Sequence, residues 1–188
     1  MITDPRKAKV LVDPMRRELL RLLAERPMTE SGLAEALGLS DPSVGYHLKI
    51  LSQSGLIRIA REEVEEHGIV QKFYEANALI YLIHDGDMPL EIQRYFTPVR
   101  LERARGMIAA LSALTGEPGG VRAKDLEGFA KILNSAIARI APRYSRRWKG
   151  DSEEVINRIY QDALVCLLEQ PDLLPERVRS LLLHARKT

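Results

Sequence analysis

The 188-residue chain is 45% hydrophobic, enough for a buried core, and its longest apolar runs, such as 163–168, fall far short of the roughly 20 residues that a membrane span needs. Cys166 is the sole cysteine and cannot form an internal disulfide; its setting Ala-Leu-Val-Cys-Leu-Leu predicts a buried, inert thiol. The formal charge of +2 hides a split: residues 1–85 hold 11 Lys and Arg against 13 Asp and Glu, the remainder 17 against 13, so charge alone does not suggest DNA.

The first residues carry Asp4, Arg6, Lys7 and Lys9 without an apolar signal segment, so the expected location is the cytoplasm. Asp13-Pro14 reads as a cap and first-turn pair, after which Met15, Leu19, Leu22 and Leu23 mark one helical face up to Pro27. Arg6, Lys7, Lys9, Arg16, Arg17 and Arg21 make this region locally positive. Thr29 caps a short second helix with Leu33, Ala34 and Leu37 inside, and Gly38 ends it.

A third helix follows with Ser40 or Asp41 as cap and Pro42 in the first turn, where its missing N–H has no helical partner. Val44, Leu48 and Leu51 recur at offsets of four and three and form its buried stripe. Pro42, Tyr46, Lys49 and Gln53 fall on the opposite side, and Gly55 supplies a left-handed stop. About a dozen residues make a rod of roughly 18 Å. Such a rod fits a major groove about 12 Å wide. A helix, a glycine turn and a second helix with a polar outer face is the plan of a helix-turn-helix reader of duplex DNA.

Residues 56–61 and 69–76 are rich in strand formers and flank a charged tip with His67-Gly68, so they read as a β-hairpin, the wing. Its tip carries Glu65, Glu66 and His67 where a minor-groove wing usually offers cations. Phosphates should repel it, which leaves Arg58, Arg61 and Lys72 on the stems for backbone contacts.

The run Leu39, Ser40, Val44, His47, Leu48, Lys49, Leu51, then Gly55, Leu56, Ile57, resembles the winged helix-turn-helix domain of the ArsR family. Recognition helices of that family commonly read Leu-Ser-x-x-x-Val-x-x-His-Leu-Lys-x-Leu before a Gly-Leu-Ile or Gly-Leu-Val entry into the wing. The likeness covers residues 10–78, is nearest to archaeal members, and does not reach the second half. It implies a DNA-binding regulator.

Ser40, Pro42, Ser43, Gly45, Tyr46, His47, Lys49 and Gln53 are the candidate DNA-binding residues of the helix, joined by Arg58, Arg61 and Lys72. Similar polar residues would sit on any surface helix; the combination of turn, stop and hairpin favours DNA. Gly45 costs about 1 kcal/mol against alanine inside a helix, which close approach of a sugar-phosphate backbone would justify. His47 is expected to bond a backbone carbonyl or a phosphate. Many ArsR-like repressors sense soft metals through cysteines on the second or third helix, but 29–37 has none, and His67, His84 and His184 are far apart, so no metal site is expected.

From 77 to 97 the pattern loosens, with Asp85-Gly86-Asp87 and Pro89 as breakers, and 85–97 is assigned as a linker. Thr97-Pro98 is expected to open a helix with Leu101, Ala104, Ile108, Leu111 and Leu114 inside; 115–120 is a loop. Three more amphipathic helices follow: Leu126, Phe129, Ala130, Leu133, Ile137 and Ile140; Val155, Ile156, Ile159, Tyr160, Ala163, Leu167 and Leu168; and, after Pro175, Val178, Leu181 and Leu182. Arg139, Arg143, Arg146 and Arg147, with Lys149 and Trp148, cluster ahead of Gly150. Cations near a helix end are by default a solvated face, and the sharper alternative is an anion or effector site.

The expected fold is therefore mainly α with a small β-hairpin: a winged helix-turn-helix domain over 1–84, a linker over 85–97, and an all-helical domain over 98–188. No phosphate loop, nucleophile elbow, paired-histidine zinc helix or Cys-x-x-Cys is found, so neither an enzyme nor a cofactor is expected. The expected function is a sequence-specific transcriptional regulator, a repressor binding an inverted-repeat operator as a homodimer. The helical half would carry dimerisation and any effector site. The alternative is a winged-helix protein-interaction module without DNA binding.

Overall fold

The computed structural model describes residues 1–64, 68–144 and 152–185. The chain divides into two compact units, Ile2–Tyr81 and Leu82–Thr188, the second also taking in Met1.

In the first unit a short helix, α1 (Pro5–Val10), precedes α2 (Pro14–Glu25). Asp13 starts α2, its Oδ1 accepting from the backbone N–H of Met15 and Arg16 at 2.8 and 3.3 Å. Leu19, Leu20 and Leu23 are buried, so Leu20 replaces the expected Leu22 on the inner face. A two-residue strand, β1 (Met28–Thr29), leads into α3 (Glu30–Leu37), where Thr29 Oγ1 accepts from Gly32 N–H at 3.1 Å. Gly38 turns the chain with φ of 64°, a conformation that costs a residue with a Cβ.

Helix α4 (Asp41–Gln53) follows, with Val44, Leu48 and Leu51 buried as the periodicity predicts. Ser40 is its N-cap but makes no side-chain cap bond; its carbonyl instead accepts from Ser43 and Val44 N–H at 3.0 and 3.2 Å. Beyond Gly55 (φ 65°) the hairpin runs as β2 (Ile57–Val64) and β3 (Val70–Ala76). The sheet is antiparallel in the order β1-β3-β2, with Arg58 opposite Glu75, Arg61 opposite Phe73 and Glu62 opposite Lys72. A bulge between Ile59 and Arg61 sets that register. Asn77 Nδ2 donates to Gly55 carbonyl at 2.9 Å and Tyr81 Oη to Leu56 carbonyl at 2.5 Å, tying the exit of β3 to the end of α4.

The second unit contains α5 (Leu90–Thr115), α6 (Ala123–Ile140), α7 (Ser152–Leu168) and α8 (Glu176–Ala185), with 3-10 turns at Ala141–Tyr144 and Pro171–Leu173. Helix α6 packs against α5 and α7, and α5 also packs against α8. All six apolar positions expected inside α6 are buried. In α7 the buried set is Val155, Ile159, Ala163 and Leu167, and in α8 it is Val178, Leu181 and Leu182.

The helix expected to open at Thr97-Pro98 begins instead at Leu90, and Pro98 lies inside it, so 90–97 is helix rather than linker. The reason is a polar anchor upstream. Asp85 is fully buried and its Oδ1 accepts from Arg100 Nη1 at 2.9 Å and Asn134 Nδ2 at 3.1 Å. Gln93 Nε2 donates to Met88 carbonyl at 2.8 Å, and Met88, Ile92 and Phe96 are buried. Thr97 Oγ1 donates to Gln93 carbonyl at 2.9 Å in the turn that Pro98 deprives of an N–H. Leu114, expected inside, is 69% exposed.

Candidate nucleic-acid interface

Helix α4 is positioned by its buried face and by two glycine turns, and that positioning decides what its outer face offers. Pro42, Tyr46, Lys49 and Gln53 are all exposed and recur at offsets of four, three and four, a single line along the rod. Tyr46 is 61% exposed, a large aromatic held in solvent on a helix whose apolar stripe is already used. Its ring meets that of His47 edge-on, with centroids 5.4 Å apart. Ser40 is exposed at the start of the helix, while Ser43 is half-buried and stands aside from the line. Tyr46, Lys49 and Gln53 supply a phenol, a cation and an amide within about two turns, groups that can reach phosphates and base edges.

Gly45 and His47 have surroundings that no local pattern in the sequence discloses. A Cβ built on Gly45 would come within 2.5 Å of Glu30 Oε1, so the end of the Glu30 side chain lies beside this glycine. That proximity of α3 and α4, across 15 positions, carries no local signal in the sequence. The His47 side chain is 15% exposed, and its Nδ1 lies 3.8 Å from Asp13 Oδ2 without a hydrogen-bond partner, so this nitrogen faces a carboxylate. Asp13, legible only as the cap of α2, also has Arg16 Nη2 at 3.5 Å.

The stems of the wing place their cations against carboxylates, Arg58 and Lys72 across the strand register and Arg61 along its own strand. Arg58 donates through Nε to Glu75 Oε1 at 2.6 Å, and Arg61 through Nε to Glu63 Oε1 at 2.7 Å. The Arg61 guanidinium also stacks 3.8 Å above the Phe73 ring, a cation–π contact. Lys72 Nζ is 4.0 Å from Glu62. Arg58, Arg61 and Lys72 are therefore exposed but paired, not free phosphate ligands. Glu65, Glu66 and His67 at the tip lie outside the described residues.

Between the starts of α3 and α4 and strand β3 is a groove of about 200 Å³ whose lining includes Glu30, Asp41, Lys72 and Tyr74. The Tyr74 phenol is held above its ordinary range, first by burial and then by the negative charges of Glu30 and Glu62. The groove edge is thus electronegative where α4 begins, and the single cation on α4, Lys49, stands further along its outer face.

Arg16 and Arg17, part of the positive N-terminal region, are turned to carbonyls: Arg16 Nη1 donates to Val10 at 3.0 Å, and Arg17 Nη1 to Leu11 and Val12 at 2.8 Å. Arg21 is shared between Glu18 and Glu25. In the second unit Arg139 Nη2 donates to Cys166 Sγ at 3.2 Å, and Cys166 is half-buried rather than sealed in the core. Arg143 is exposed on the turn after α6. Arg146 and Arg147 lie outside the described residues. Among the described residues no group of three or more His, Cys, Asp or Glu is placed to hold a metal, and no helix is long and apolar enough to cross a membrane.

Residues 13–58 match the profile of the family described as "Bacterial regulatory protein, arsR family". Over 49 residues the chain is 43% identical to the transcriptional repressor SdpR of Bacillus subtilis (strain 168). That stretch covers 26% of this chain and 54% of the relative, so the chain spans about half the length of the curated protein it matches.

Proposed function

From the premise that residues 13–58 are an ArsR-family helix-turn-helix, we propose that the protein is a DNA-binding transcriptional regulator. It inserts α4 into the major groove of an inverted-repeat operator as a homodimer and represses by occupancy. The observation that supports this most is the exposed line Pro42, Tyr46, Lys49, Gln53 on a helix fixed from behind by Val44, Leu48 and Leu51. Tyr46 is 61% exposed, and its phenol adds a hydrogen-bonding group to the face that a base-reading helix presents. Lys49 holds a phosphate, and Tyr46 and Gln53 address base edges. A two-fold dimer carries two such helices about 34 Å apart, one turn of B-DNA. The reading assigns no catalytic step and no cofactor to the chain, and its place of action is the cytoplasm.

Selection of genomic fragments by the purified full-length protein tests this directly. The expected outcome is retention of a small set of fragments sharing an inverted repeat, with mobility shifts that weaken as salt is added. Failure to shift any duplex at low salt would overturn it. That result would favour the protein-interaction module instead, a reading to which the carboxylate-paired wing gives some support.

A further inference from the structure

Where the chain leaves α5, passes through 116–121 and enters α6, a hollow of about 820 Å³ remains between the helix, the loop and the start of α6. Arg105, Ile108, Ala109, Ser112 and Ala113 line it and succeed one another at offsets of three, one, three and one, so they share one side of α5 over roughly 12 Å. Pro118, Gly119 and Leu126 complete its walls. The volume falls within the range of about 300–1,000 Å³ that small-molecule sites occupy.

Three successive loop residues are tied down around this space. Ser112 Oγ donates to the Glu117 carbonyl. Arg177 of α8 donates through Nη1 and Nη2 to Glu117 Oε2 at 3.3 and 3.4 Å, and through Nη2 to the Pro118 carbonyl. Gly119 lies so close to α5 that a Cβ there would come within 3.0 Å of Ser112. The hollow is therefore built into the helical unit, and a ligand entering it does not have to order the loop first.

Its chemistry is lopsided. Ile108 and Leu126 are buried side chains at the back, and Ala109 and Ala113 add methyl groups to the same apolar wall. The Ser112 hydroxyl hydrogen and the Glu117 carboxylate are committed to the bonds just described. Arg105 is different. Its side chain is 58% exposed and gives Nη1 to Glu102, which does not line the hollow, while Nε and Nη2 have no partner among the described residues. A guanidinium carries five N–H donors and accepts nothing, so holding Glu102 leaves one edge of the fork uncommitted. Arg105 is also the one cation in the lining. A single positive fork beside an apolar wall is complementary in charge to a monoanion with an apolar body, and a carboxylate matches that fork in bidentate geometry.

We propose that this hollow is a binding site for an amphipathic monocarboxylate, its head group on Arg105 and its hydrocarbon body against Ile108, Ala109, Ala113 and Leu126. The site lies in the helical unit, outside the matched segment 13–58, and the proposal stands or falls independently of DNA binding.

Titration calorimetry of the full-length protein with hexanoate, octanoate and decanoate provides the test, with octanamide as the uncharged counterpart and far-ultraviolet dichroism as a fold control. The carboxylates should bind saturably at one site per chain, and affinity should rise by up to about fourfold for each CH2 added, as methylene burial requires. Arg105→Gln should weaken octanoate at least tenfold and leave octanamide unchanged, the loss expected of a hydrogen-bonded charge. Ala113→Trp, a change at an exposed position, should fill the hollow and weaken both ligands at least tenfold with helix content unchanged. Absence of saturable binding by decanoate would overturn the proposal. So would octanamide binding as tightly as octanoate, or Arg105→Gln without effect, since the head group would then not sit on the guanidinium. Undiminished binding to Ala113→Trp would place the ligand elsewhere and overturn the assignment to this hollow.

Discussion

Lys49 is the one cation on the outer face of α4, and its surroundings set how its removal should read. It is exposed, so Lys49→Ala should leave stability within about 0.5 kcal/mol, as surface changes do. Each phosphate neutralised contributes close to one unit to the slope of log affinity against log salt. Lys49→Ala should therefore weaken binding across all sequences alike and lower the slope by about one unit per chain, measured by titration of a duplex at several salt concentrations. A loss confined to some sequences, with the slope unchanged, would mean that Lys49 reads bases and not phosphate. Asp85 presents the opposite case, a carboxylate sealed from water with Arg100 and Asn134 on one of its oxygens. Asp85→Ala would leave the guanidinium of Arg100, whose side chain is 12% exposed, without its partner. Breaking a buried pair in this way costs about 3–5 kcal/mol. Urea unfolding should show that loss, and a change below about 1 kcal/mol would show that the pair does not hold the start of α5.

At the scale of elements, α4 was readable because everything that defines it is local: the Gly38 turn, Pro42, the spacing of Val44, Leu48 and Leu51, and Gly55. The start of α5 was not, because it depends on Asp85 meeting Asn134, 49 positions away, and Asp85-Gly86-Asp87 reads locally as a loop. Thr97-Pro98 misled for a related reason. Proline is favoured in the first turn and disfavoured inside a helix, so a helix passing through it is the rarer outcome. The same fact yields an expectation. Pro98 is exposed and its turn lacks one backbone bond, so Pro98→Ala restores a donor to a helix interior where proline is about 3 kcal/mol worse than alanine. The carbonyl that Pro98 leaves without a donor is that of Arg94, which the Thr97 bond to Gln93 does not serve, so a gain of up to about 3 kcal/mol is expected in urea unfolding. A lower midpoint would mean that the core of the second unit requires the bend at Pro98.

Over the whole chain, the near-balance of acids and bases in the first 85 residues is visible in the sequence, and so is the i,i+2 spacing that pairs Arg61 with Glu63, but the partners of Arg58 and Lys72 are not, because they follow the strand register and its bulge. That pairing has a consequence for DNA binding. A wing arginine that already holds a carboxylate must give it up to take a phosphate, so the protein should bind with a shallow salt dependence for its size. Glu63→Gln and Glu75→Gln release Arg61 and Arg58 respectively, and also remove two negative charges from the hairpin. These pairs are largely solvent-exposed and worth about 0–1 kcal/mol each, so the fold should tolerate both changes. The double variant is expected to bind mixed-sequence duplex more tightly at low salt, with the log-log slope steeper by about one unit for each arginine freed per chain. Affinity for a specific operator should rise less than affinity for mixed sequence, because phosphate contacts carry no sequence information. If the double variant matched the wild type in both slope and affinity, the hairpin would not approach the duplex, and α4 alone would carry the contact.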